Sequence, residues 1–337
     1  MLNRNKGCRW AEFYWKGIKT IIMENEVLRI EVLADKGTDI VEFLYKPKDI
    51  DFMWRGPIPI YQFSKMIPTI SSKIGSFIDY YPGGWQEIFP NGGLPTEYKG
   101  TIIGLHGEIS LLPWEYEVID DSLEKISIKF KVRTYRTPFL VEKIIHIEKE
   151  NPSITIEENI TNEAEENMDF IWGHHPSFGK PFISSDCVIK IKKAKIIVAK
   201  GDGKSFSNLK QTEGLWPFVE GVDGKKVDIS RCPGENDKVS DVIFLTELQD
   251  NNYEIINEKL KIGFRLEFPI SIFRNLWFWR VAKGSFNYPW YGRTYNIALE
   301  PFSSLPVLSE AIKRGDNLSL EPWKNLKAKI IASVVEI

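Results

Sequence analysis

The residues best suited to moving protons in this 337-residue chain are scarce and grouped. Only four histidines occur, and three fall in two short segments, Gly104-Leu105-His106-Gly107 and Gly173-His174-His175-Pro176-Ser177-Phe178. A third segment, Tyr295-Asn296-Ile297-Ala298-Leu299-Glu300-Pro301-Phe302, places a carboxylate at the end of an alternating run. Imidazole and carboxylate suffice for general acid–base chemistry near neutral pH. In extended chain, residues two apart share a face, so His106 is expected to point with Gly104, His175 with Gly173, and Glu300 with Ala298 and Asn296. Such small neighbours leave open volume beside a functional side chain, or else they mark bulges and crowded packing. The opposite faces carry Leu105 and the core-like Tyr295, Ile297 and Leu299.

A metal centre fits this spacing poorly. On a strand His174 and His175 face opposite sides and cannot bind one ion together, and no His-x-His pair occurs. His146, within Ile144-Ile145-His146-Ile147, reads as a hydrogen-bonded structural residue. The chain has no Gly-x-Ser-x-Gly elbow, no phosphate-binding glycine-rich loop and no dinucleotide fingerprint. The expectation is proton transfer with neither cofactor nor metal.

Aromatic residues supply 13% of the chain, and many of the 11 tryptophans and other rings fall in Gly/Pro-rich stretches. Tyr80-Tyr81-Pro82-Gly83-Gly84-Trp85 and Phe286-Asn287-Tyr288-Pro289-Trp290-Tyr291 are candidate walls, because ring faces stack on the CH faces of pyranoses; any single ring is more often core. Lysine plus arginine (44) nearly balances aspartate plus glutamate (46), which argues against a nucleic-acid partner. Cys8, Cys187 and Cys232, far apart and without Cys-x-x-Cys spacing, read as free thiols. Trp10, Glu12 and Lys16 interrupt any leader-like apolar run, and no eighteen apolar residues are consecutive. A soluble, cytoplasmic protein without a membrane partner is therefore expected, its oligomeric state open.

The elements that must position these residues are strands. Period-two alternation marks 27–32, 39–44, 125–132, 140–148, 153–160, 188–198, 242–248, 260–268 and 328–335. Turn chemistry at Asn151-Pro152, Asp202-Gly203 and Asp223-Gly224 punctuates them. Only Leu305 to Arg314, closed by Gly315, reads as a short helix. Without repeats, low-complexity tracts or linkers, residues 1–337 read as a single all-β domain, a sandwich or barrel.

With these residues in hand, the chain resembles the aldose 1-epimerase (galactose mutarotase-like) family nearly end to end. The resemblance rests on Val32-Leu33-Ala34-Asp35-Lys36-Gly37-Thr38-Asp39-Ile40, on Gly83-Gly84-Trp85-Gln86-Glu87-Ile88-Phe89-Pro90-Asn91-Gly92-Gly93, on Leu105-His106-Gly107, on His175-Pro176-Ser177-Phe178 and on Leu299-Glu300-Pro301. Asp241-Val242-Ile243-Phe244 is weakly similar to the segment that supplies a substrate-binding aspartate. The resemblance implies a large antiparallel β-sandwich and a sugar isomerase that interconverts α and β anomers by ring opening. It implies Glu300 as base, His175 as acid and His106 as a second donor. Asp241, Trp85, His174 and Arg293 are the candidate substrate-binding residues. Two departures bear on the sugar: the Asn-Arg pair of many relatives is replaced by Asn91-Gly92-Gly93-Leu94, and His174 stands where an asparagine or threonine is usual. A non-catalytic sugar-binding protein is the alternative. So is a hexose-6-phosphate mutarotase, with Arg136, Arg274, Arg280 and Arg293 as phosphate ligands or as ordinary surface residues. A polysaccharide lyase would need a base near a carboxylate-neutralising group, which the sequence does not offer.

Overall fold

Alternating side chains become alternating burial. A computed structural model describes residues 6–60, 75–200 and 205–337. Within it, Phe139–Glu148 buries Phe139, Val141, Lys143, Ile145 and Ile147 on one face and turns the intervening residues outward. Ser153–Asn162 repeats the pattern with Ile154, Ile156, Glu158 and Ile160. The hairpin joining Arg9–Trp15 to Ile18–Glu24 turns through Lys16 and Gly17, with φ of 51° and 85°. Two left-handed residues are what a two-residue turn between twisted strands requires. The turn expected at Asp202-Gly203 lies outside the described residues.

Two large antiparallel sheets result. The larger begins with Arg9–Trp15, Ile18–Glu24, Leu28–Leu33 and Asp39–Tyr45, and continues through Trp85–Ile88, Gly173–Phe178, Tyr295–Phe302, Asn275–Ala282, Val239–Thr246 and Lys195–Val198 to a small edge meander. The other runs from Cys187–Lys190 through Asn252–Asn257, Ile262–Glu267, Asn325–Glu336, Ser153–Asn162, Phe139–Glu148 and Lys125–Arg133 to Glu115–Asp121. They face each other: Phe264 of the second sheet meets Phe178 and Trp85 of the first, with ring centroids 4.7 and 6.4 Å apart. Of the sandwich or barrel that the alternation allowed, this is the antiparallel β-sandwich that the resemblance implied.

Three local differences have physical reasons. The run at 188–198 divides into Cys187–Lys190 and Lys195–Val198, one strand in each sheet, with the charged Lys192-Lys193 pair at the crossing. The late helix is Leu308–Arg314, ending at Gly315 with φ 74°. It starts later than expected because Val307, with φ −108° and ψ 174°, is extended and caps the helix from outside. A five-residue helix, Gly75–Asp79, has no counterpart in the alternation and brings Phe77 to the site described next. No helix among the described residues is long and apolar enough to cross a membrane.

Candidate active site

Two adjacent central strands carry the reactive pair. In Gly173–Phe178 alternation turns His174 into the sandwich and His175 onto the outer face; in Tyr295–Phe302 it turns Leu299 inward and Glu300 outward. His175 Nε2 and Glu300 Oε1 then stand 3.4 Å apart, both buried. They lie at the base of a cleft of about 580 Å³ walled by Tyr81, Leu105, Phe244, Trp277, Trp279 and Trp290. His106 joins them, its ring centroid 5.5 Å from that of His175.

His106 arrives by a different route from the one its sequence suggested. Its segment is a turn, not a strand: the Gly107 N–H donates to the Gly104 carbonyl at 3.1 Å, and His106 itself has φ 56°. The Gly93 N–H donates to His106 Nδ1 at 3.2 Å, which leaves Nε2 as the N–H donor of the neutral ring. The small neighbours also divide. A side chain at Gly104 would meet nothing closer than 3.9 Å, the open volume expected, whereas one at Gly173 would sit 2.3 Å from the Phe302 ring. Gly173 marks crowded packing.

Burial sets the protonation of the pair. Desolvation in the apolar cleft pushes the Glu300 carboxyl well above the usual carboxylate range and lowers His175 to about 4. His106 is lowered too, by burial and by the neighbouring imidazole. Both shifts favour the neutral form, Glu300 protonated and His175 unprotonated, against the ion pair that mutual attraction alone would favour. His175 Nδ1 faces Ser177 Oγ at 3.2 Å and the Tyr81 hydroxyl at 3.3 Å, acceptors for an Nδ1–H when Glu300 holds its proton toward Nε2.

Four expected substrate contacts lie elsewhere. His174 points between the sheets, its Nε2 3.0 Å from Glu158 Oε2, and the Trp85 indole N–H donates to its Nδ1 at 3.1 Å. Both residues are corrected from cleft to core, because the alternation that exposes His175 must hide its neighbour. Val242 and Trp279 oppose each other in register and line the cleft, so the next opposed pair, Asp241 and Arg280, turns away from it. Arg280 Nε donates to Asp241 Oδ2 at 2.7 Å and Ser207 Oγ to its other oxygen, so this carboxylate, which has no exposed side-chain area, is engaged within the protein, although Asp241 forms part of the wall of an adjoining hollow. Arg293 is exposed over the Tyr291 ring and outside the cleft lining. Arg136 and Arg274 likewise bond to backbone carbonyls, of Ile102 and Asp316, and none of the four arginines lines the cleft.

The core cluster around His174 includes the one group of described residues with metal-ligand spacing, Glu87, Glu158 and His174. Lys143 Nζ stands 2.8 Å from Glu87 Oε2, so an ammonium already fills the place of a cation. Burial lifts Glu158 to about 7 and depresses His174 to about 3. His146 keeps its expected structural role, 2.7 Å from Ser127 Oγ.

Sequence reasoning passed over Tyr81 and Ser177 as partners of His175, and Trp277 and Trp279 as walls. The signal for the tryptophans was present: in Asn275–Ala282 they are two apart, on one face of a strand.

The sandwich of two antiparallel sheets is the galactose mutarotase-like fold. The chain has this fold in common with a Klebsiella pneumoniae protein provisionally named an aldose 1-epimerase, with TM-score 0.76 and 15% identity over 98% of this chain and 88% of that one. A galactose mutarotase-like protein from Clostridium acetobutylicum superposes with TM-score 0.64 at 16% identity, covering 99% and 100%. A galactose mutarotase related enzyme from Lactobacillus acidophilus gives TM-score 0.63 at 16% identity, covering 94% and 97%. Across residues 15–330 the chain belongs to the family described as Domain of unknown function (DUF4432). No curated protein matches the sequence.

Proposed function

We propose that this chain, as one domain over 1–337, is a carbohydrate isomerase that interconverts the α and β anomers of an aldose. The observation that carries the reading is the buried His175–Glu300 pair, 3.4 Å apart at the base of an aromatic-walled cleft. The names borne by its structural neighbours point the same way.

The pair holds one exchangeable proton, and the chemistry balances around it. Glu300 gives its proton to the ring oxygen as His175 takes the proton of the anomeric hydroxyl, so the C1–O ring bond breaks and an aldehyde forms. His106 Nε2–H steadies the oxygen on which charge develops. After rotation about C1–C2, the released hydroxyl attacks the other face of the aldehyde. Glu300 now takes its proton, while His175 returns one to the carbonyl oxygen, and the neutral pair is restored. Each such group is worth about 10²- to 10⁴-fold in rate. In this account Glu300 is the acid and His175 the base of the opening step, the reverse of the roles implied by the resemblance.

Polarimetry on freshly dissolved α-anomers, free and 6-phosphorylated, tests the reading. Acceleration over buffer is expected for free aldoses. Tight sugar binding with no acceleration for any aldose would establish the sugar-binding alternative instead.

A further inference from the structure

The reaction cleft is poor in groups that read hydroxyls. Among the described residues, His106, His175 and Glu300 are its titratable side chains apart from Lys200 at the exposed rim; Tyr81 and the tryptophans add a hydroxyl and indole N–H groups, and the remaining walls are largely apolar. The Trp277 indole N–H is committed to the Ser304 carbonyl at 3.0 Å, and the Tyr81 hydroxyl to Ser177 at 2.6 Å. An aldopyranose carries a hydroxyl on most ring carbons, and each one buried without a partner costs about 1–3 kcal/mol.

A second hollow of about 460 Å³ adjoins the first and is richer in polar side chains. Ser207, Gln211, Ser240, Ser285 and Asn287 line it. Each serine hydroxyl can donate once and accept twice: Ser240 and Ser285 use only part of that capacity on each other, at 2.7 Å, whereas Ser207, whose proton is held by Asp241, keeps acceptor capacity alone. The hollows are direct neighbours: Ile78, Ala199, Lys200, Val242, Trp279 and Trp290 border both. Trp279 and Trp290, ring centroids 5.1 Å apart, stand at the junction, where their faces can stack on two successive sugar rings. Each hollow alone lies within the about 300–1,000 Å³ of pockets that hold drug-sized molecules, so the two side by side offer room beyond a single pyranose.

Resting on the isomerase reading above, we propose that the substrate is a reducing disaccharide. Its reducing unit sits on His106, His175 and Glu300, and its second unit occupies the serine- and amide-lined hollow across the two tryptophans. Chemistry is done in the apolar hollow and recognition in the polar one. The second unit adds binding energy that the reaction cleft lacks the polar groups to supply, and so raises kcat/KM.

The test compares mutarotation of α-glucose with that of α-maltose, cellobiose and lactose, with saturation-transfer NMR on the same sugars. At least one disaccharide should exceed glucose in kcat/KM by about tenfold or more, with magnetisation transferred to both rings. Gln211→Trp places a bulky ring in the second hollow from an exposed position and should lower that disaccharide constant by about tenfold. Glucose turned over as well as every disaccharide, or contact confined to the reducing ring, overturns this proposal and leaves the isomerase reading standing. If no sugar is turned over, the isomerase reading fails separately, and the ligand class is decided by NMR: contact on both rings retains it, and absence of disaccharide binding ends it.

Discussion

Glu300 and His175 illustrate how burial outweighs pairing at close range. The ion-pair and neutral forms contain the same proton, so their balance depends on attraction at 3.4 Å against the cost of stripping two charges of water. In a cleft walled by tryptophan, tyrosine and leucine the second term wins, and a neutral pair can accept a proton at one atom while releasing one at another. The rate should respond to pH as this requires. Below about 4 His175 gains a second proton and loses its basic nitrogen, so activity should rise as pH increases through that value. Above the raised Glu300 value the acid is lost and activity should fall, giving a bell whose alkaline limb lies well above the ordinary carboxylate range. Glu300→Gln and His175→Asn should each reduce kcat by about 10²- to 10⁴-fold with sugar binding largely retained, as read by polarimetry beside calorimetry.

At the scale of elements, the site depends on how tightly neighbouring strands are stacked. Gly173 lies opposite Phe302 in register, and the phenylalanine ring fills the space a side chain would need. Gly173→Ala should therefore cost about 1–3 kcal/mol in denaturant unfolding and lower activity without touching substrate, because it shifts the His175 strand against the Glu300 strand. The sequence made some of this geometry legible. The resemblance, through the spacing of His175 and Phe178, singled out His175 as the acid, while period-two alternation set Glu300 against Leu299 and required His174 and His175 to face opposite sides. Asp241 rested on a weak resemblance of Asp241-Val242-Ile243-Phe244 alone, and the partner that occupies its carboxylate, Arg280, is distant in sequence. His106 was legible as a residue but not as a conformation, because a left-handed turn between glycines looks like open strand. Strand order, which brings residues 85–88, 173–178 and 295–302 side by side, is a long-range property that no local pattern carries.

At the scale of the whole molecule, the two sheets are joined behind the active site by charge as well as by apolar packing. Lys143 and Glu158 occupy inward positions of otherwise apolar strands and meet Glu87 and His174 across the sandwich. Lys143→Met should leave buried carboxyls without their cation and cost about 3–5 kcal/mol. Glu158 is raised by burial to about 7 despite that cation, so the folded state binds more protons than the unfolded one between the ordinary glutamate value and about 7. Its contribution is present at low pH and lost as pH rises through that window. Glu158→Gln should remove this loss, seen as a flatter pH dependence of unfolding free energy than in the parent protein. The central claim, that the cleft interconverts anomers through the His175–Glu300 pair, is tested most directly by exchange NMR. Cross-peaks between the α and β anomeric protons of a reducing sugar should grow in rate with added protein and disappear with an equal amount of folded Glu300→Gln. Exchange no faster than in buffer for every mono- and disaccharide, or acceleration undiminished in Glu300→Gln, would contradict it.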